Sequence, residues 1–203
     1  MLKLLLSFFL LSGCSYAEDN APAAQPKAAA AKPAQSAAAK DPAYVMERFT
    51  CLVPAGWEIS RDKASEAKNK IYELGLIGPR AENAPVMIYA AYYAKDNRDF
   101  KTYPEFVTRN SKDAIGRTET PTRKYSAVTE TTLGGKKALA FEREVKEFLH
   151  PESTSEESVQ VREKFYVLPA KEGFFVLHYY APVSAFNKHL PVFKKFLSTF
   201  KPL

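Results

Sequence analysis

The residues of this chain that could do chemistry are few and scattered. It has three histidines, His150, His178 and His189, and no two of them stand at a spacing that would bring two imidazoles onto one metal from a helix or hairpin. Glu152, Glu156 and Glu157 lie near His150, a set that could hold a divalent cation weakly, although a hydrated acidic loop is the simpler reading. His178 alternates in phase with Phe174, Val176 and Tyr180, which predicts a satisfied histidine in the core or beneath a helix. His189 is expected at solvent. Nucleophilic catalysis needs a Ser or Cys held by a base and an acid. No Gly-x-Ser-x-Gly turn is present, and Cys51 alternates with Phe49 and Val53, as a buried, inert thiol does. Gly134-Gly135 lacks the strand-to-helix context of a phosphate loop and reads as a hairpin turn. Glu142 and Glu144 stand among Arg143 and Lys146, as on a solvated strand face. No catalytic, cofactor-binding or metal-binding residue is assigned, and no enzyme is expected.

The net charge of +6 invites a nucleic-acid reading, but its distribution opposes one. Residues 43–203 carry 25 Lys and Arg against 20 Asp and Glu, well mixed along the chain. A nucleic-acid surface needs a basic stripe to displace phosphate counterions, and none is visible. No nucleic-acid partner is expected.

The amino terminus reads as an address. Met1-Leu2-Lys3 is a minimal basic start, and the apolar run Leu4–Leu11 after it is far short of the roughly 20 residues that span a bilayer core. It closes with Leu11-Ser12-Gly13-Cys14. This resembles the lipobox of bacterial lipoproteins, which implies a signal peptide over 1–13 and diacylglyceryl attachment at Cys14, commonly followed by acylation (palmitate) of the new amino group. Cleavage after Ala17, behind Ser15-Tyr16-Ala17, is the competing reading. Ser15 in place of Asp, by resemblance to proteobacterial sorting, points to the periplasmic face of the outer membrane. Residues 14–42 are rich in Ala and Pro with spaced lysines, so they have nothing to bury and are expected to be a disordered tether with a reach of about 30 Å.

Residues 43–203 are expected to form one globular domain. With 14 Phe and 11 Tyr in the chain, its core needs no disulfide or metal. The extended segments predicted are 47–53, 57–60, 70–77 (ended by Gly78-Pro79), 86–93, 123–132, 136–145, 159–168 and 174–180. Both alternating sets of 86–93 are apolar or aromatic, so that strand is expected to be covered on both faces. Thr102-Tyr103-Pro104-Glu105 predicts a helix start, with Ile115 on the helix and Gly116 as its stop. Val183, Phe186, Leu190, Phe193 and Leu197 predict an amphipathic carboxy-terminal helix, with Pro191 near the start of its main part and Val183–Lys188 as a separate turn or a kinked first segment. The polar stretch 148–158 is expected to project from the sheet. The fold class implied is α+β: a mainly antiparallel sheet with helices on both faces, an α-β-α sandwich.

Phe49–Ile59 (FTCLVPAGWEI) carries the extended-Pro-x-Gly-Trp opening of the PsbP-like fold. Gly173–Leu177, Phe186, Pro191-Val192-Phe193 and Ser198-Thr199-Phe200-Lys201 resemble its closing strand and helix. That fold is shared by the extrinsic photosystem II protein PsbP, the Ran-binding Mog proteins and DcrB-like lipoproteins. The resemblance implies a non-enzymatic accessory role, and no site residue carries over from it. The function expected is a membrane-tethered binding or accessory lipoprotein of the cell envelope, anchored through Cys14, with an envelope protein or glycan as partner. A small-molecule carrier with a cavity between helix and sheet is the alternative, and a hydrolase the third reading.

Overall fold

A computed structural model of the chain describes residues 41–150 and 152–203; the readings of 1–13 as signal peptide, of Cys14 as the lipid-attachment site and of a tether up to residue 40 lie outside the described residues. Strands shaped by side-chain alternation dominate the domain. In chain order the elements are β1 (Ala43–Val45), β2 (Phe49–Leu52), β3 (Glu58–Ser60), α1 (Lys63–Asn69), β4 (Ile71–Ala81), β5 (Ala84–Ala94), α2 (Tyr103–Asn110), β6 (Glu119–Thr120), β7 (Arg123–Tyr125), β8 (Thr129–Leu133), β9 (Lys136–Phe148), β10 (Ser158–Ala170), β11 (Gly173–Pro182), α3 (Val183–Thr199) and β12 (Lys201–Pro202).

The large sheet is antiparallel throughout, in the order β3-β4-β5-β11-β10-β9-β7-β6, with β8 also on β9. One face is fixed by Val86, Ile88, Ala90 and Tyr92 of β5 and by Phe175, Leu177 and Tyr179 of β11, all buried. α3 lies on this face: Phe193 stacks on Tyr179 at 5.2 Å, and the Tyr179 hydroxyl donates to the Phe186 carbonyl at 2.8 Å. The small sheet β1-β2-β12 covers the same face, with Phe49 packed against Phe175 and Phe200. Cys51 is buried there, and burial pushes its thiol pKa to about 11, so it stays protonated and inert. On the opposite face, Phe106 and Val107 of α2 close a second cluster with Phe141, Phe165, Val167, Phe174 and Val176. The helices therefore sit on both faces of a mainly antiparallel sheet, an α+β architecture.

Several local expectations need correction. β4 does not stop at Gly78-Pro79. It runs on to Ala81 through a register shift between Ile77 and Arg80, a bulge that tolerates Pro79 without a ladder bond. Gly78 is also where the half-buried Trp57 ring lies: a Cβ there would sit 2.6–2.8 Å from the indole carbons. The expected strand 123–132 is one strand broken in two. Between the pairs Tyr125–Arg143 and Thr129–Ala140, three residues face two, so a bulge separates β7 from β8. α2 ends at Asn110, whose Nδ2 donates to the Phe106 carbonyl and satisfies the last turn; Ile115 lies beyond it, 77% exposed. α3 is a single helix with Pro191 inside it and exposed. Packing of Ala185, Phe186, Phe193 and Phe196 on both sides of Pro191 holds the helix together despite the missing bond. The seven-residue α1, capped by the Asp62 carboxylate accepting from Ala64 and Ser65, was not expected at all.

The β9–β10 hairpin carries 13 residues in each strand, joined by 149–157. The base of that connection is closed by Leu149 N–H to the Glu157 carbonyl (2.9 Å) and by Asn83 Nδ2 to Glu157 (3.1 Å). Among the described residues no helix is long and apolar enough to cross a membrane.

Candidate functional site

α2 covers only part of its face of the sheet. Past its end, two rows of side chains cross the strands in register. The first row is Gly75, Tyr89, His178, Phe165 and Phe141; the second is Ile77, Met87, Tyr180, Glu163 and Arg143. In the first row four rings stand nearly parallel: Tyr89 to His178 at 5.3 Å, His178 to Phe165 at 4.1 Å, and Phe165 to Phe141 at 4.7 Å. Aromatic and imidazole faces on neighbouring strands fill the space that a helix fills elsewhere.

Glu163 lies under this row, 2% exposed. Arg143 grips its carboxylate with two nitrogens, Nη2 at 3.0 Å from Oε1 and Nε on Oε2. The Arg143 guanidinium also reaches Asn110 of α2 at 3.3 Å and lies 5.1 Å over the Phe165 ring. His178 Nε2 comes within 2.9 Å of Glu163 Oε1, at an angle too poor for a hydrogen bond. Burial works against ionisation of Glu163, but His178 and Arg143 outweigh it and hold its pKa at about 2. Tyr180 donates to Glu147 at 2.7 Å, and burial with that carboxylate raises its phenol pKa, so it remains protonated. The cluster has a base and an acid but no nucleophile: among the described residues, no Ser, Thr or Cys side chain bonds to His178 or Glu163. The arrangement ties β9, β10, β11 and α2 together.

Next to it, at the β3–β4 edge, a groove of about 300 Å³ opens to solvent. Its floor is Gly75, Tyr89 and Tyr93, and its walls are Ser60 and Arg61, the α1 residues Ser65 and Asn69, and Glu73 with Asp99. Gly75 leaves the floor low because it puts no side chain between Ser60 and Tyr89. Arg61 is fully engaged by bidentate bonds to the buried Glu66 at 2.7 and 2.8 Å and by bonds to Glu47 at 2.8 Å, so it ties α1 to the β1–β2 connection. Glu73 is exposed at the groove wall, and partial desolvation there, with Glu66 nearby, raises its pKa. Burial raises the Tyr89 phenol to about 12. The groove thus offers neutral phenols, amide and hydroxyl groups and acids beside two aromatic faces, a set suited to recognition of a polar ligand.

The space between α3 and the sheet, where a carrier's cavity was expected, is filled by Tyr179, Phe186, Phe193 and Phe196. His150 approaches Glu157 at 3.3 Å, and no group of three or more candidate metal ligands is gathered among the described residues. Glu142 is partly buried and accepts from Arg162 and Lys164 at 2.6 Å, a tighter setting than the solvated face expected for it. Glu163, Arg143 and the α1 residues were not singled out in the sequence. Glu163 did leave a signal, since it occupies the apolar phase set by Val159, Val161, Phe165 and Val167, the phase that His178 holds on β11.

Neither a protein-family model nor a curated protein matches the sequence. Among solved structures, the cyanobacterial PsbP (CyanoP) of Synechocystis sp. PCC 6803 superposes with a TM-score of 0.50 at 11% identity, covering 86% of this chain and 98% of that one. The fold is PsbP-like. PA94 of Pseudomonas aeruginosa, a protein of unknown function, matches at 12% identity and a TM-score of 0.47 over 80% of this chain and 97% of its own. LpqN of Mycobacterium tuberculosis, described as involved in cell envelope biogenesis, matches at 18% identity and 0.44 over 76% and 82%. At these identities the likeness concerns the fold alone.

Proposed function

We propose that this chain is a non-enzymatic binding or accessory lipoprotein of the bacterial envelope, held at the membrane through Cys14. In this reading the PsbP-like domain meets an envelope protein or glycan in the Tyr89–Tyr93 groove. The observation that carries it is the groove itself: a polar, aromatic-floored opening at a sheet edge, in a domain whose interior is filled. The lipobox resemblance at Leu11–Cys14 supports the address, and the Glu163–His178 pair without a nucleophile supports a non-catalytic role.

The test is capture from solubilised membranes by the full-length protein, read by mass spectrometry and glycan analysis. Glu73→Lys reverses one wall of the groove without touching the core. It should abolish capture while leaving the melting temperature unchanged. Capture that persists unchanged with Glu73→Lys and with Tyr89→Ala would remove the groove from the reading.

A further inference from the structure

The β8 edge of the large sheet is open. β6 covers β7, whereas β8 pairs with β9 alone. The Gly134-Gly135 turn has φ of 55° and 76°, the two-residue type I′ connection, which closes on a hydrogen-bonded pair, here Leu133 and Lys136. Antiparallel pairs alternate, so Thr129, Thr131 and Leu133 turn their backbone groups toward β9. Glu130 and Thr132 turn theirs outward, where no partner meets them among the described residues.

The other edge strands are short or flanked by proline. β1, β3, β6 and β12 are two or three residues long; Pro42 precedes β1, Pro121 follows β6 and Pro202 lies within β12. β8 has five residues with neither Pro nor Lys among them and Glu130 as its one charge, so it is less protected than the other edge strands. Beside it lies a hollow of about 380 Å³, with Tyr103, Leu139 and Pro169 as its apolar lining and Glu130 and Thr132 at its rim.

We infer that β8 accepts an extended peptide segment of a partner protein as an added strand, with one apolar side chain of that segment seated in the hollow. Backbone pairing supplies the attachment and the hollow the selectivity, as in other strand-addition sites. A five-residue edge covers far less than the roughly 1,200 Å² a stable protein dimer buries, which favours a short segment over a second copy of this chain. The surface is separate from the Tyr89–Tyr93 groove and does not depend on what the groove binds.

The probes are three nine-residue peptides in which Ser and Val alternate around a central Leu, Met or Phe. They are titrated against the full-length protein by fluorescence anisotropy and by amide hydrogen exchange. At least one should bind saturably and slow exchange at the Glu130 and Thr132 amides. Thr132→Pro removes only an outward N–H and should weaken binding at least tenfold at an unchanged melting temperature. If that variant fails to fold, exchange protection in the unaltered protein decides alone. Absence of saturable binding by all three peptides, or binding that leaves both amides unprotected, overturns the inference. So does a concentration-dependent dimer in sedimentation that Thr132→Pro abolishes, which would give the edge to a second copy.

Discussion

Glu163 carries the sharpest consequence at the scale of single residues. A buried carboxylate is costly unless it is paired and hydrogen-bonded, and Arg143 and His178 both meet this one. Its pKa lies below the ordinary 4.5, at about 2. The ionised form is therefore favoured in the folded state, so its stabilisation is full above about pH 4.5 and is lost as the pH falls toward 2. The contribution is on the order of 3 kcal/mol. Glu163→Gln should lower the urea midpoint at pH 6 by a corresponding amount, and the gap to the unaltered protein should narrow markedly at pH 3. A gap that does not change with pH would mean the charge contributes nothing and only the shape matters. The position was legible in part. A charged residue in the apolar phase of a strand announces a buried charge, but its partners are set by the register of β9, β10 and β11, which alternation within one segment does not encode.

Among the elements, the long strands were readable because their alternation is strong, and α1 was not because KASEAKN has no apolar stripe to mark a helix. It is held locally by the Asp62 cap and the Arg61–Glu66 pair, and it is tied to the rest of the domain by the Arg61–Glu47 bonds. β4 shows the same limit: Gly78-Pro79 reads locally as a stop, yet pairing with β5 carries the strand past it as a bulge. Trp57 covers this spot, and it is the one tryptophan of the chain, so its fluorescence reports on the contact directly. Gly78→Ala should push the indole outward, shift its emission to the red and destabilise the domain by about 1–3 kcal/mol. Unchanged emission would show that the ring does not rest on Gly78. In α3, Pro191 is exposed and leaves the Asn187 carbonyl without its helical donor. Packing of Phe186 on one side of it and Phe193 on the other keeps the helix whole, a long-range effect that joins Val183–Lys188 to the helix instead of leaving it a separate turn. Pro191→Ala should then stabilise the protein by about 2 kcal/mol. A lowered thermal midpoint would indicate instead that the proline shapes the helix against the sheet.

At the scale of the whole molecule, the α+β architecture with helices on both faces was legible, because a strand apolar on both sides, 86–93, demands a layer above and a layer below. The groove was not, since it arises where α2 stops short and α1 begins, and neither limit is written in a periodic pattern. Among the described residues no helix is long and apolar enough to cross a bilayer, and the proposed attachment rests on Cys14. One acyl chain holds a protein only marginally, whereas two or more hold it stably. If Cys14 receives a diacylglyceryl group, the loss of that one sulfur should convert a membrane protein into a released or unprocessed one. Cys14→Ser leaves the domain from Ala43 onward untouched, so its melting temperature should match that of the unaltered protein, while the chain moves to the soluble fraction or accumulates at precursor mass. Ordinary cleavage after Ala17 predicts a different result: both proteins would be processed alike and neither would accompany the membranes. Fractionation with intact-mass measurement separates the two outcomes, and equal processing with equal partitioning would rule out the lipid anchor and leave the binding surfaces of the domain to act in free solution.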